Sequence, residues 1–432
     1  MNKAEKQAQQ KLHIDRRRLL YRLSELGAIG ATQDGGVSRL ALTDEDREGR
    51  RIFETWLQRL GLTARVDRVG NIVAVRPGRA ELPPILLGSH LDSVRNGGRL
   101  DGPYGVLSAL EVLETLHDSG ISTLRPIGVI SFTNEEGVRY APGMLGSHVV
   151  CGAVTVEEAR GAIGEDGTAF GAELDRIGYA GDLDPVSIRP GAYLEIHIEQ
   201  GPILEREQTS IGVVEGVVGI TWLEITLEGA ANHAGTTPTR LRRDAGLVAA
   251  RIAAFLRTLA LSIGEEMRAT CGVMAFEPNA VNVIPGRAAL RADLRHPDPD
   301  VLARAERRLR SYIARAASQE RVTATVRSLE HVKAVRFDSG VIGAVQNAAE
   351  LLGHSARRMV SGAGHDAQLM SAVCPAAMIF VPSIDGISHS PREHTPPEAL
   401  EAGANVLLHA ALELANRTQI GAPASVQPSS TT

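Results

Sequence analysis

Hydrophobic positions in the first half of the chain follow two different periods. Residues 43–60 repeat apolar side chains at helical spacing, with Thr43 as a candidate N-cap and Gly61 as the stop signal. Short β-rich runs follow at 63–68, 71–75, 85–89 and 127–132, and a helical pattern at 106–116 separates the last two. Strands that alternate with helices predict an α/β fold, in which helices cover a mostly parallel mixed sheet.

The alternation of single strands and helices ends at about residue 217. From there the predicted elements follow the order β-α-β-β-α-β, which is typical of a ferredoxin-like α+β domain. Helix and strand patterns of the first kind resume after residue 332 and close with a helix at 397–415. We therefore expect residues 217–332 to be an insertion that splits a larger domain into 1–216 and 333–432. Residues from about 421 lack periodicity and are expected to be a disordered tail.

Composition narrows the possible partners and the compartment. Aromatic residues make up 3% of the 432 residues and the net charge is −5, so a nucleic-acid partner is not expected. The N-terminus lacks an apolar segment, and the sequence has no stretch of about 18 uncharged apolar residues, so no membrane partner is expected. Cys151, Cys271 and Cys374 are far apart and predict reduced thiols, as in a cytoplasmic protein.

Five dispersed residues lie in segments that favour metal chemistry. Two apolar runs end in loops rich in glycine and acidic residues, the first followed by His90 and Asp101 and the second by Glu135 and Glu136. Ligands collect at the carboxyl ends of parallel strands, where both loops are predicted to lie. With two later histidines, the set offers three imidazoles and two carboxylates to one or two divalent cations: His90, Asp101, Glu136, His197 and His389.

Taken singly, each of these residues also has a structural interpretation. A histidine after a strand is more often a hydrogen-bonded structural residue, and an aspartate in a glycine-rich turn commonly bonds its own backbone. Asp92, two residues after His90, is at a spacing that lets a supporting carboxylate orient the imidazole. Glu135 and Glu136 would diverge as strand residues, which favours one of them on a metal and the other free as a base.

Eight ordered segments between about residues 40 and 415 resemble the hydantoinase/carbamoylase amidases of the M20 metallopeptidase-like superfamily. That group includes N-carbamoyl-L-amino acid hydrolases, β-ureidopropionases, allantoate amidohydrolases and ureidoglycolate amidohydrolases. The resemblance implies a zinc-peptidase-like catalytic domain with an inserted lid and dimerisation domain. The segments are GSHLDSVRNGGRLDGPYGV, FTNEEGVRYAPGMLGS, YLEIHIEQGPILE, ANHAGTTP, NVIPG, DLRHP, SGAGHDA and ISHSPREHT.

The resemblance also implies a binuclear metal centre. Asp101 would bridge two ions, with His90 and His197 at one site and Glu136 and His389 at the other. Glu135 matches the general acid/base. M20 peptidases usually have a carboxylate where this chain has His197, which favours a carbamoyl amidase over a peptidase. The ligand set permits Zn or Mn, with Co or Ni as alternatives.

Further matches concern a small substrate that carries a carboxylate and a ureido group. The resemblance implies that Arg295 pairs with the substrate carboxylate, for which a bidentate guanidinium is apt. The alternative for Arg295 is a salt bridge at a strand end. His233 would donate to the developing oxyanion, and the inserted domain would form a homodimer. The sequence leaves His365 open between a supporting and a purely structural role. The implied substrate contacts are Gln200, Asn282, Arg295, Gly362 and Ala363.

The expected reaction is hydrolysis of an N-carbamoyl amino acid to the amino acid, CO2 and NH3. Allantoate, ureidoglycolate and N-carbamoyl-β-alanine present the same two groups, so the sequence leaves the substrate open among them. An aminoacylase or dipeptidase of the M20 type is the next alternative. A metal-free binding relative is a third, against which the complete ligand set argues.

Overall fold

The computed structural model describes residues 11–421, and the chain divides into two compact units. The larger unit runs to Gly216 and resumes at Arg336, and the second spans Val217–Val335. The return to the larger unit therefore comes three residues after the predicted boundary at 332. Residues 422–432, which include nearly all of the expected tail, lie outside the described part of the chain.

The larger unit is built on a nine-stranded sheet with the order β1-β2-β4-β3-β5-β15-β6-β13, and β14 pairs with β6. The central strands β4, β3, β5 and β15 are parallel, while β2 and β6 run antiparallel to their central neighbours. The strands are β1 (Arg65–Val66), β2 (Ile72–Arg76), β3 (Ile85–His90), β4 (Ile127–Phe132), β5 (Ala192–Ile198), β6 (Ile211–Val217), β13 (Val335–Arg336), β14 (Ala356–Ser361) and β15 (Ala376–Val381).

Helices cover this sheet, and every residue of β3, β4, β5 and β15 is buried. Such burial confirms the predicted parallel, helix-covered sheet. The Thr43 hydroxyl accepts from the backbone N–H of Asp46, as expected of the N-cap. The helices are α1 (Arg16–Ala28), α2 (Asp44–Arg59), α3 (Pro103–Asp118), α4 (Leu145–Val150), α5 (Val156–Gly161), α6 (Phe170–Ile177), α7 (Ile203–Arg206), α10 (Ser339–Leu351), α11 (Asp366–Met370) and α12 (Pro397–Ala415).

The sequence patterns did not indicate β5, a central strand of this sheet. Its sequence, AYLEIHI, alternates apolar with polar side chains, as a strand with one solvated face does. In the structure Glu195 and His197 are buried nevertheless. The polar face of β5 therefore faces the protein interior, where its side chains have polar partners.

The second unit is a four-stranded antiparallel sheet with the order β12-β7-β11-β9, and two helices pack on it. This is the predicted ferredoxin-like order. A separate two-stranded pair joins β8 to β10. The elements are β7 (Gly219–Glu228), β8 (Asn232–His233), α8 (Ala245–Ile263), β9 (Arg268–Glu277), β10 (Val283–Ile284), β11 (Arg287–His296), α9 (Pro299–Gln319) and β12 (Thr323–Val332).

Helix α8 is the one described helix that is long and apolar enough to cross a membrane by length and composition. Its buried side chains, among them Val248, Ile252 and Leu256, belong to the hydrophobic core of the second unit. We therefore interpret α8 as a core helix.

Candidate metal centre

The five predicted ligands meet at one edge of the large sheet. His90 is the last residue of β3, His197 is the last but one of β5, and Glu136 follows β4. Asp101 precedes α3, and His389 lies in the loop between β15 and α12. Parallel strands bring their carboxyl ends to a single edge, which is why residues so distant in sequence converge.

The first group consists of His90, Asp101 and His197, and all three are buried. The Oδ1 atom of Asp101 lies 2.9 Å from Nε2 of His197 and 3.7 Å from Nε2 of His90. One ligand atom from each residue falls within 4.8 Å of the others. Two imidazoles and a carboxylate at this spacing suit a divalent cation.

The second group consists of Asp101, Glu136 and His389. Nε2 of His389 lies 3.1 Å from Oδ2 of Asp101 and 3.5 Å from Oε2 of Glu136. Asp101 thus turns one carboxylate oxygen to each group. This is the arrangement that a bridging carboxylate between two cations requires.

Backbone carbonyls orient the two buried imidazoles. Nδ1 of His90 donates to the carbonyl of Asp92 at 2.9 Å, and Nδ1 of His197 donates to that of Ile198 at 2.8 Å. Because a carbonyl only accepts, Nδ1 carries a proton in both rings, so in the neutral imidazole the lone pair is on Nε2, which faces Asp101. Ligating histidines are commonly held in this way.

Asp92 supports the centre differently from the prediction. Its carboxylate remains 3.9 Å from Nδ1 of His90 and accepts instead from the backbone N–H groups of Glu135 and Glu136, at 3.2 and 3.3 Å. The backbone carbonyl of Asp92 orients the imidazole, and its side chain holds the turn after β4.

Burial and neighbouring charges set the protonation of the donors. Burial, together with the nearby His197, lowers the pKa of His90 to about 4, although Asp101 opposes the shift. Burial opposes ionisation of Asp101, but the neighbouring His197 and His389 hold its pKa well below the usual value. Burial would lower the pKa of His197, but Asp101 raises it to about 9, so a cation bound here would displace that proton.

Glu135 and Glu136 turn to different partners, as predicted for a divided role. Glu136 faces His389 and accepts from the backbone N–H of Val94 at 3.2 Å. Oε2 of Glu135 lies 3.5 Å from Nε2 of His90. Burial raises the pKa of Glu135 well above its usual value, and the carboxylates of Asp366, Glu136, Asp101 and Asp92 add to the effect.

Backbone strain is concentrated at this edge. Asn134, Gln200 and His389 are non-glycine residues in the left-handed region, with φ of 58°, 55° and 53°. Such residues persist where the surrounding structure fixes them, often at functional sites. The strained residues therefore lie in the loops that bring the predicted ligands together.

The chain matches the family model described as peptidase family M20/M25/M40 over residues 86–413. It is 42% identical to an N-carbamoyl-L-amino-acid amidohydrolase of Rhizobium meliloti, over 92% of this chain and 96% of that protein. It is 34% identical to an allantoate amidohydrolase of Bacillus subtilis, over 90% and 95% of the two chains. The crystal structure of a hydantoinase/carbamoylase family amidase from Burkholderia multivorans is 46% identical, with a TM-score of 0.92 over 94% of this chain and 99% of that one.

The chain belongs to the hydantoinase/carbamoylase amidases of peptidase family M20/M25/M40. The resemblance recognised from eight motifs is thereby confirmed. Because the R. meliloti and B. multivorans proteins are matched over nearly their whole lengths, the likeness includes both units of this amidase.

Gln200, predicted to contact the substrate, lies beside the predicted metal ligands of this amidase. Its Nε2 donates to Oδ2 of Asp101 at 2.8 Å and is 3.3 Å from Oγ of Ser388. The side-chain amide thus orients the carboxylate that the two ligand groups share.

His365, whose role the sequence left open, packs beside His197. Its ring centroid is 4.7 Å from that of His197, and its Nε2 lies 3.0 Å from Oγ of Ser361. The same hydroxyl bonds both the N–H and the carbonyl of Ala363. His365 therefore packs against His197, a predicted ligand, and contacts the hydroxyl that holds the loop of Gly362 and Ala363.

The second unit of this amidase brings His233 and Asn282 together across β8 and β10. His233 pairs with Val283, and the N–H of Ala234 donates to the carbonyl of Asn282 at 3.0 Å. Nδ1 of His233 accepts from the N–H groups of Gly235 and Thr236, at 3.0 and 3.1 Å. An imidazole with Nδ1 as acceptor carries its proton on Nε2, so exposed His233 presents a donor there.

Arg295 forms the ion pair that was the alternative interpretation. Its Nη2 lies 2.8 Å from Oδ2 of Asp293, two residues earlier on the same face of β11. The side chain of Arg295 is 28% exposed. The pair therefore orients a side chain that is partly accessible.

Sequence reasoning did not select two carboxylates near the ligands. Glu393 contacts the loops of Asp101 and His389, and Glu195 accepts from Ser89 at 2.7 Å and from the N–H of Ala367 at 2.8 Å. Glu195 lies in the segment YLEIHIEQGPILE and Glu393 in ISHSPREHT. Their contacts reach across the fold, so the only available sequence signal was their proximity to His389 and His197.

Proposed function

We propose that this amidase hydrolyses the carbamoyl group of an N-carbamoyl amino acid, R–NH–CO–NH2, with water to give the free amino acid, CO2 and NH3. The observation that carries the proposal is the Asp101 carboxylate, which turns Oδ1 to His197 and Oδ2 to His389 while Glu135 lies beside His90. Relatives of similar length that are named N-carbamoyl-L-amino-acid amidohydrolases support the choice of reaction.

Two divalent cations per subunit, Zn or Mn with Co or Ni as alternatives, fit the donor set. His90 and His197 would hold one, Glu136 and His389 the other, and Asp101 both. The fit rests on two Nε2 lone pairs that carbonyl partners aim at Asp101. When bound, such cations polarise the substrate carbonyl and acidify water.

Within this proposal, Glu135 acts as the general acid/base. Its buried carboxylate accepts a proton from the attacking water and delivers it to the leaving nitrogen. The raised pKa of Glu135 favours a group that takes up a proton and returns it. Nε2–H of His233 donates to the carbonyl oxygen as negative charge develops, a contribution on the order of 3 kcal/mol.

Recognition of the substrate carboxylate is assigned to Arg295 and Asn282. The Arg295 side chain is oriented by Asp293 and 28% exposed, and its planar guanidinium has the geometry that a carboxylate accepts from. Gln200 and the backbone of Gly362 and Ala363 are proposed as further substrate contacts near the ligands. The space beside Gly362 is open to a ligand, since a Cβ built there meets no protein atom within 4 Å.

The test of the function is a substrate panel. We expect the metal-reconstituted protein to release ammonia from N-carbamoyl-L-amino acids faster than from allantoate, and to cleave N-formyl and N-acetyl amino acids or dipeptides more slowly. Allantoate is the second candidate because the B. subtilis relative is named for it. Preferential cleavage of acetyl amino acids or dipeptides would contradict the proposed reaction.

Replacing Arg295 tests the carboxylate contact. We expect Arg295→Lys to raise KM for carboxylate substrates by about 10-fold, because a point charge loses the bidentate geometry. Metal content should not change. Arg291→Lys is the matched control, since Arg291 lies on the same strand and pairs with Glu224 instead. Equal KM values for the two variants would remove Arg295 from substrate binding.

We also propose that the protein is a cytoplasmic homodimer formed through the second unit. The three free cysteines support a reducing compartment, and the assembly rests on the family resemblance. Light scattering during size-exclusion chromatography should give about twice the 46.0 kDa chain mass. A monomer at micromolar concentration would contradict the assembly.

A further inference from the structure

Glu393 connects the two loops that carry Asp101 and His389. Its Oε1 accepts from the backbone N–H of Leu100 at 2.9 Å and from that of Asp101 at 3.2 Å. Its Oε2 lies 3.0 Å from Oγ of Ser388, the residue before His389. A single half-buried carboxylate therefore contacts the backbone of one ligand and the neighbour of another.

The contacts continue to the ligand atoms themselves. Oγ of Ser388 lies 3.1 Å from Oδ2 of Asp101, the oxygen that faces His389. Bonds from backbone N–H groups to a carboxylate are about twice as strong as those between neutral groups. Glu393 thus fixes the backbone of Asp101 directly, and it shares with the Asp101 carboxylate the Ser388 hydroxyl, whose one proton is donated to one of the two carboxylates at a time.

A glycine makes room for this carboxylate. A Cβ built on Gly98 would lie 1.9 Å from Oε1 and 2.0 Å from Cδ of Glu393. Because the clash is with the mobile end of a side chain, the fold can accept an alanine at 98 only if Glu393 leaves its place. The need for glycine here comes from Glu393.

We propose that Glu393, seated against Gly98, is a positioning residue that holds Asp101 and His389 at the spacing required by the cation they share with Glu136. This inference rests on the binuclear centre of the proposed function. Of the three proposed ligands of that cation, Asp101 and His389 lie on loops that Glu393 contacts. Of the ligands proposed for the other cation, only Asp101 lies on such a loop.

The experiment is a zinc titration of the apoprotein by equilibrium dialysis with metal analysis. We expect Glu393→Ala to weaken binding of the second ion by about 10- to 100-fold and to leave the first ion bound. Activity should return at high zinc with KM unchanged, which a general loss of stability would not produce. Glu393→Gln should restore most of the affinity, since its carbonyl can still accept from Leu100 and Asp101.

Gly98→Ala provides an independent variant in which Glu393 is still present. We expect it to weaken the same ion, because the new methyl group displaces the carboxylate. Gly343→Ala is the matched control, as a Cβ at 343 meets no atom within 4 Å. Asp338→Ala is the control for a carboxylate that accepts two backbone N–H groups away from the ligands, those of Gly340 and Val341.

The outcomes separate the inference from the function on which it rests. If the wild-type protein binds two ions and Gly98→Ala and Glu393→Ala bind both with unchanged affinity, the positioning role is wrong and the binuclear centre stands. If the wild-type protein itself binds fewer than two, the binuclear centre and the inference both fail. Should Glu393→Ala not fold, Gly98→Ala decides.

Discussion

Glu135→Gln is expected to retain both cations and to lose about 10²- to 10⁴-fold in kcat. The amide has nearly the shape of the carboxylate, so the turn held by Asp92 should persist. What it lacks is the ability to take a proton from water and pass it to the leaving nitrogen. Stopped-time ammonia assays, together with metal analysis of the same preparation, measure both quantities.

Glu136→Gln is the internal comparison, because it makes the same chemical change one residue later. Glu136 faces His389 in the second ligand group, so its replacement should reduce metal content, which Glu135→Gln should not. A Glu135→Gln protein with wild-type kcat would remove Glu135 from the base role. An identical loss of metal in both variants would contradict the divided roles.

Asp101→Ala is expected to abolish binding of both cations together with activity. Each ligand group contains one oxygen of this carboxylate, and without it the remaining pairs are His90 with His197 and Glu136 with His389. Removing a residue that only supports a ligand lowers metal affinity by about 10- to 100-fold, and the loss in Asp101→Ala should be larger. Metal analysis after dialysis against buffered zinc gives the stoichiometry.

The contrast with single-site variants makes this result specific. His90→Ala should affect the first ion and His389→Ala the second, while Asp101→Ala should affect both. Circular dichroism distinguishes loss of metal from loss of fold. If Asp101→Ala lost only one ion, the carboxylate would not bridge and the two groups would have to be reassigned.

Much of the fold was predictable because its signals are local. The Thr43 cap, the helical spacing that follows and the apolar runs of β3 and β4 are each contained within a few turns or residues. Strand β5 was not predicted, and its alternating pattern would in any case have indicated an edge or half-exposed strand, not a central strand buried on both faces. Only the long-range partners of Glu195 and His197 explain their burial.

The residues of the candidate site also differ in how far the sequence predicts them. The ligands could be selected because they follow strands or stand in recognisable motifs, whereas the contact of Asp92 could not be derived from spacing. Two-residue spacing permits either its carboxylate or its carbonyl to reach His90, and the turn after β4 takes the carboxylate. Glu393 was missed because its partners are some 290 residues away in the chain.

The order of strands in the large sheet also constrains synthesis of the protein. β15 lies between β5 and β6, although it follows them by more than a hundred and fifty residues and is made after the whole second unit. The N-terminal part of a nascent chain leaves the ribosome first. Until residue 381 has left the ribosome, β5 and β6 lack the strand that joins them and leave backbone N–H and C=O groups exposed, a known hazard for aggregation. The second unit is one continuous segment and needs no strand from later in the chain, so it can fold before the larger unit is complete.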